Sequence, residues 1–131
     1  MKVIYRLIVM SLMFLSISCN PDSPLSVVFS PPKCEITNIQ KYNASPGEFA
    51  RFAITVINDG DGATAFNSGC IVKLKKGNTI IDRGYAYFGD LSQGESAIDE
   101  AWFTNITNQS QYDSYEITLY WYDSQGTYYT Q

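Results

Sequence analysis

Few side chains in this sequence are of types that commonly take part in catalysis or metal binding, and this limits the functions that the chain can have. The chain has no histidine, so it lacks the commonest general base and the usual ligand of catalytic zinc. Its three cysteines, Cys19, Cys34 and Cys70, have the widest reactive repertoire that remains. Without histidine, none of them can form the Cys–His pair that activates a thiol nucleophile. We therefore expect no enzyme, no cofactor and no metal site, and consider the cysteines for attachment, disulfide bonding or packing.

Cys19 ends a stretch that is typical of an export signal. Lys2 and Arg6 make a short basic start, and the apolar run 7–15 follows them. That run is too short to span a bilayer, and three small or apolar residues lead from it to the cysteine. We expect residues 1–18 to be a signal peptide that is cleaved before Cys19.

A cysteine directly after the cleavage site resembles the bacterial lipoprotein signal, whose pattern is Leu-Ser/Ala-Gly/Ala-Cys. Ser16 stands where that pattern has leucine, and Leu15 lies one place early. The resemblance implies several acyl chains on Cys19, because a single chain anchors a protein only marginally. It also implies a place in the bacterial cell envelope, with the outer membrane expected, on its periplasmic or surface side. The alternative is ordinary secretion in which Cys19 has no special role.

The charge balance of the mature chain argues against one class of partner. After cleavage 113 residues remain, enough for one domain, with seven basic and thirteen acidic residues and a net charge of −6. Nucleic acid binding needs clustered lysine and arginine, so we expect no nucleic acid partner. The one basic cluster, Lys73, Lys75 and Lys76, is expected to be a solvated strand face that ends in a turn.

Composition divides the mature chain into a linker and a domain. Residues 19–33 hold the lipid site and four of the five prolines, which favours extended polyproline II. At roughly 3 Å per residue this linker could hold a domain some 40 Å from a lipid surface. Residues 34–131 alternate between strand and turn patterns without helical periodicity, which predicts a single β domain.

The pattern within this domain predicts seven short strands. Clusters of Gly, Asn, Asp and Pro separate runs in which apolar and polar residues alternate. This alternation puts Phe52, Ile54 and Val56 on one face of the second strand and Cys70, Val72 and Leu74 on one face of the third, but leaves the buried face of the fifth strand open. The predicted strands are 34–39, 49–57, 63–75, 79–88, 96–104, 115–122 and 127–130, with a bulge or kink at Asn67-Ser68-Gly69 in the third. We therefore predict an all-β fold, an antiparallel β-sandwich of immunoglobulin-like size.

Several short motifs in the domain make it similar to known modules. They are Pro46-Gly47-Glu48, Ile54-x-Val56-x-Asn58-x-Gly60, Ala65-Phe66, Leu91-x-x-Gly94-Glu95-Ser96 and Tyr122-Asp123-x-x-Gly126. With these marks, residues 34–130 resemble the bacterial and archaeal immunoglobulin-like modules of the CARDB and FxLYD type. The resemblance implies an adhesion, display or accessory unit and carries no active site with it.

Tyrosines supply the candidate binding surface. We expect Trp121 to be buried between the sheets, and the two-residue period of a strand then turns Tyr120 and Tyr122 to the opposite face. The short turn that follows brings Tyr128 or Tyr129 alongside. Such a face suits stacking on sugar rings or anchoring a protein, although tyrosine also favours strands and pairs across them without any ligand. The expected ligand-binding residues are Tyr85, Tyr87, Tyr120, Tyr122 and Tyr128.

The remaining candidate groups have simpler interpretations. Cys34 and Cys70 either form a disulfide or pack as free, small hydrophobic side chains, and the sequence leaves both open. The acidic loop 58–62 lacks the continuing ligand set of a calcium loop, so we expect a solvated glycine turn. Asp99 and Glu100 are neighbours on one strand, point to opposite faces and cannot flank one bond.

These observations favour a membrane-anchored extracytoplasmic module that binds or adheres without catalysis. Its membrane contact is the lipid on Cys19, and its partner is a protein or a glycan. Two alternatives stay open: a carbohydrate-binding accessory protein of a polysaccharide-uptake system, and a structural subunit of an envelope assembly.

Overall fold

Seven strands and one short 3₁₀ turn make up residues 30–131, the part of the chain that this computed structural model describes. The expected signal peptide, Cys19 and the linker up to residue 29 lie outside the described residues. All seven predicted strands are confirmed, with ends displaced by at most three residues. The strands are β1 (Cys34–Tyr42), β2 (Ala50–Asn58), β3 (Ala65–Lys76), β4 (Thr79–Leu91), β5 (Ser96–Phe103), β6 (Ser114–Tyr122) and β7 (Tyr128–Thr130), and the 3₁₀ turn is Gln109–Gln111.

The strands form two antiparallel sheets that pack face to face. One sheet has the order β1-β2-β5 and the other the order β4-β3-β6-β7. In the immunoglobulin arrangement the first, second and fifth strands likewise face the third, sixth and seventh, and here the fourth strand joins the third. The predicted antiparallel immunoglobulin-like β-sandwich is therefore confirmed.

Alternation along the strands directs one apolar face of each sheet into a shared core. Phe52, Ile54 and Val56 of β2 are fully buried, as predicted from their spacing. Phe103 of β5 meets Phe52 in a T-shaped contact at 5.4 Å between ring centroids, and Leu119 of β6 is buried on the opposing sheet. Removal of this apolar surface from water stabilises the fold. The alternate residues of each strand point the other way and form the two outer faces of the sandwich.

The orientation of β5, which the sequence left open, is set by its pairing with β2. The register is continuous from Ala50–Phe103 to Ile57–Ser96. Phe103 is therefore buried, whereas Ile98 and Trp102 point outward with 66% and 47% of their surface exposed. Two apolar side chains thus lie on the outer face of the three-stranded sheet.

A bulge interrupts β3 where the sequence predicted a bulge or kink. The pairing with β6 slips between Phe66 and Gly69, and Asn67 adopts a positive φ of 49°. Asparagine tolerates this left-handed conformation better than most residues do. The bulge turns Asn67 outward at one end of the four-stranded sheet.

The last residues of the expected linker belong to the folded unit. Pro32 is buried, and its carbonyl oxygen accepts a hydrogen bond from Nε1 of Trp121 at 2.9 Å. The carbonyl of Lys33 accepts one from the amide of Asp59 at 2.8 Å. The chain therefore enters the sandwich beside Trp121, at the end where β6 turns into β7.

Candidate functional site

Strand pairing brings the five predicted tyrosines to the outer face of the four-stranded sheet. Directly paired residues in antiparallel strands point to the same side. Tyr87 and Tyr120 both pair with Gly69, and Tyr122 pairs with Tyr128. We call this set the tyrosine face; it consists of Tyr85 and Tyr87 on β4, Tyr120 and Tyr122 on β6, and Tyr128 on β7.

Gly69 lets the ring of Tyr120 lie down against the sheet. A β-carbon at Gly69 would be 2.5 Å from Oη and 2.7 Å from Cζ of Tyr120, so the phenol ring covers the glycine. An aromatic ring that covers a strand glycine stabilises the sheet at that position. Burial raises the pKa of the Tyr120 phenol above its usual value, so this ring stays neutral at physiological pH.

Of the two tyrosines on β7, Tyr128 is the one on the tyrosine face. Its ring centroid lies 6.3 Å from that of Tyr120 and 5.3 Å from that of Tyr122. Tyr129 points the other way and stacks on Trp121, with ring centroids 5.9 Å apart and planes 9° apart. Trp121 is only 5% exposed, which confirms its predicted burial.

The tyrosine face is partly used by the fold and partly open to solvent. Contacts of Tyr128 with Tyr120 and Tyr122 stabilise the sheet in the absence of any ligand. Tyr85, Tyr87 and Tyr128 nevertheless keep 63%, 57% and 54% of their surface exposed. The arrangement can therefore offer aromatic surface to a partner without unpacking the domain.

Polar groups border the tyrosine face at the bulge. The hydroxyl of Tyr87 donates to Oδ1 of Asn67 at 3.1 Å, and the amide of Asn67 donates to Oδ1 of Asp90 at 2.9 Å. A shallow hollow of about 380 Å³ lies beside them, lined by Phe66, Asn67, Tyr122, Asp123, Ser124 and Gly126. Hydrogen-bonding groups are thus available next to the aromatic rings.

The same outer face continues into a basic end. Lys73 pairs with Arg83 on one side and with Glu116 on the other. Hydrogen bonds from Lys75 and Lys73 lower the pKa of Glu116 to about 2, and the Lys73 Nζ–Glu116 Oε1 distance is 2.9 Å. Arg83 is exposed and makes no ion pair with any residue between 30 and 131. The sequence predicted a solvated basic face here but missed Arg83 and Glu116, because their strands meet Lys73 only through long-range pairing.

The outer face of the other sheet carries a second aromatic group that the sequence analysis also missed. Tyr42, Arg51 and Trp102 form one row across β1, β2 and β5. The guanidinium carbon of Arg51 lies 4.2 Å from the ring centroid of Tyr42 and 5.0 Å from that of Trp102. Glu100 stands 3.3 Å from Nε of the same arginine. The guanidinium group of this row is therefore already occupied by the two rings and by the ion pair with Glu100.

The two cysteines of the domain are free thiols, so the disulfide alternative for Cys34 and Cys70 is not what the structure contains. Cys34 lies opposite Asn58 at the start of β1, and Cys70 lies opposite Leu119 in the other sheet. Both are fully buried in the core, and burial raises the pKa of each thiol to about 11. Each therefore packs as a small, unreactive hydrophobic side chain.

The acidic loop after β2 is organised by a buried asparagine. Nδ2 of Asn58 donates to the carbonyls of Ala63 at 2.7 Å and Leu91 at 2.9 Å. Its Oδ1 accepts from the amides of Gly60 at 3.1 Å and Lys33 at 3.2 Å. No group of three or more His, Cys, Asp or Glu side chains suited to a metal ion occurs within residues 30–131. The side chain of Asn58 thus has a structural role.

Comparison with known proteins adds no relative: no family model, curated protein or solved structure matches the chain. The similarity to CARDB and FxLYD modules therefore depends on its motifs alone and stays a prediction. No helix within the described part of the chain is long and apolar enough to cross a membrane.

Proposed function

We propose that this chain is a lipid-anchored, extracytoplasmic β-sandwich that binds a partner through its tyrosine face and catalyses no reaction. The observation that carries the proposal is the collection of five tyrosines on one sheet face, three of them more than half exposed. Exposed aromatic patches on such domains often mark contact sites, and tyrosine is enriched among residues that dominate binding energy.

The rings of the tyrosine face are held in place before any partner arrives. Tyr120 rests on Gly69, and Tyr128 packs against both Tyr120 and Tyr122. A partner therefore has fewer side chains to immobilise, which lowers the entropic cost of binding. This rigidity supports a recognition surface rather than a loose hydrophobic patch.

Two carboxylates near the tyrosine face, Asp123 and Glu116, support a role without catalysis. Oδ1 of Asp123 accepts hydrogen bonds from the amides of Gln125 and Thr127, both at 2.8 Å, and its Oδ2 accepts one from Tyr129. Glu116 is shared by two lysines. These acids stabilise a turn and a sheet, and their low pKa values do not suit a proton donor at neutral pH.

The lipoprotein-like sequence around Cys19 supports attachment to the bacterial envelope. In that setting the sandwich displays its tyrosine face to envelope or extracellular molecules. A purely structural subunit of an envelope assembly would use the same face for a permanent contact, so recovery of a stoichiometric assembly would favour that alternative.

The test is capture of the partner from intact envelopes by chemical cross-linking. Tyr120→Ala with Tyr122→Ala should abolish the cross-linked product while thermal unfolding stays cooperative, since the core side of β6 is unchanged. Trp102→Ala is the matched control, because it removes an exposed aromatic ring from the opposite sheet. Undiminished capture by the double tyrosine variant would rule out the tyrosine face as the contact.

A further inference from the structure

We propose that the ligand of the tyrosine face is an acidic polysaccharide, whose sugar rings stack on the tyrosines and whose carboxylates meet Lys73 and Arg83. This inference rests on the proposed function and specifies its partner. It follows from three features of the same sheet face: the charge at its basic end, the distance between its aromatic and basic residues, and the orientation of its rings.

The basic end of this outer face has the opposite charge from the rest of the domain. Lys73, Lys75 and Arg83 lie on it with Glu116 as the acid between them, which gives a local charge of +2. The remaining described residues hold four basic and eleven acidic side chains. A cationic area on an otherwise anionic domain attracts an anionic ligand to that face and repels it elsewhere.

The cations keep donors free for a ligand. The exposed guanidinium of Arg83 has no ion-pair partner in the described chain, and this group binds carboxylates with two parallel hydrogen bonds. Lys73 uses one N–H on Glu116, and an ammonium group has three. A ligand carboxylate can therefore bind here without breaking the contact between Lys73 and Glu116.

The spacing between rings and cations fits an oligosaccharide rather than one sugar. Tyr87 and Tyr120 pair with Gly69, and Arg83 pairs with Lys73, four residues further along β3. At about 3.4 Å per residue the aromatic row (Tyr87 and Tyr120) and the basic row (Lys73 and Arg83) are about 14 Å apart. One ligand that contacts both rows must extend along the strands, as a polymer of linked sugar rings does.

The orientation of the Tyr120 ring favours a sugar over an acidic peptide as the ligand. Tyr120 lies on Gly69 in the middle of the sheet and forms part of a platform, not a projecting anchor. Peptides commonly bind sheets by adding a strand to an edge, or they fill a groove as a helix. The Tyr120 ring over the middle of the sheet, with phenol hydroxyls beside it, instead offers stacking and hydrogen bonds to sugar rings.

The experiment compares two forms of one polymer. Binding of the purified full chain to polygalacturonate and to its fully methyl-esterified form is measured by affinity electrophoresis and calorimetry. We expect esterification to weaken binding roughly tenfold or more, the amount expected for one lost charge-assisted contact. Binding to polygalacturonate should also weaken as salt is raised.

Four variants separate the contributions of charge and stacking. Lys73→Gln with Arg83→Gln should weaken binding to polygalacturonate and leave binding to the ester unchanged, whereas Tyr120→Ala with Tyr128→Ala should weaken both. Gly69→Ala keeps every tyrosine and charge, but its methyl group displaces the ring of Tyr120, so it should weaken both as well. Lys33→Gln is the matched control, since this lysine precedes β1 and is remote in the sheet order from the basic row.

Three outcomes overturn the inference. Equal binding of both polymers removes the role of charge, and tyrosine-dependent binding of polyglutamate with equal affinity makes the ligand an acidic peptide. Failure to bind either polymer, when envelope cross-linking still depends on Tyr120 and Tyr122, refutes the saccharide and leaves the proposed function standing. Loss of that cross-linking dependence refutes the proposed function itself.

Discussion

Asn58 shows how much of this fold depends on one polar side chain. It is completely buried, and all four of its side-chain hydrogen bonds are satisfied by backbone groups. Those groups belong to the chain before β1, the loop after β2 and the end of β4. One amide side chain therefore joins three segments at the end of the sandwich where the chain enters.

Replacing Asn58 by alanine or by aspartate should lower the stability of the fold, and the two variants should differ in how their stability depends on pH. Asn58→Ala leaves two amides and two carbonyls without partners, and we expect a loss of about 3 kcal/mol in the free energy of unfolding. Asn58→Asp keeps the shape but turns an oxygen toward the carbonyls of Ala63 and Leu91, so its stability should rise as the pH falls and the acid regains a donor proton. Urea denaturation at pH 7 and pH 4 measures both effects. Wild-type stability in the alanine variant would refute the structural role.

At the residue scale the sequence predicts the local structure around a side chain better than it predicts that side chain's bonding partners. The loop 58–62 was predicted to be a turn, but the partners of Asn58 lie up to 33 residues away and leave no local pattern. The state of Cys34 and Cys70 was open for the same reason, because disulfide formation depends on how two sheets align. Both questions need the register between strands.

At the scale of the strands, the alternation of residues predicted the buried face wherever apolar residues occupied only one of the two alternating sets of positions. It assigned the buried side chains of β2, β3 and β6 correctly. It failed for β5, where Ile98 and Trp102 lie on one phase and Phe103 on the other, so that hydrophobicity favoured neither. The structure resolves this through pairing with β2, which places Trp102 beside Arg51 on the outer face.

The two tryptophans of the chain provide a direct test of these assignments. Trp121→Ala removes a buried ring that stacks on Tyr129 and binds Pro32, and should cost about 3–5 kcal/mol of stability. Trp102→Ala removes an exposed ring that only stacks on Arg51, and should cost about 1 kcal/mol or less. Chemical denaturation of both variants, side by side, measures the difference. Equal losses would mean that one of the two faces has been assigned wrongly.

At the scale of the whole molecule, the sandwich was predictable but its surface pattern was not. Turn spacing and strand number define the architecture, whereas the tyrosine face and the basic row each need residues from three or four strands in register. The contacts that the last two residues of the expected linker make with the domain were not predictable from the sequence either. Pro32 and Lys33 bind the domain because Trp121 and Asn58 present polar groups to the arriving backbone.

Attachment through Cys19 is the prediction that concerns the molecule as a whole. Cys19→Ala should move the protein from the membrane fraction to the soluble fraction, because no other segment in the sequence was predicted to hold it in a bilayer. Cys34→Ala is the matched control: it removes a cysteine from the buried core and leaves the attachment site intact, so the protein should stay with the membranes. Mass spectrometry of the detergent-extracted wild-type protein should find acyl chains on an N-terminal cysteine, as the lipoprotein resemblance implies. If the wild-type protein is already soluble, or if Cys19→Ala still sediments with membranes, ordinary secretion or a different mode of attachment replaces the lipid anchor, and the binding surface must be sought in that setting instead.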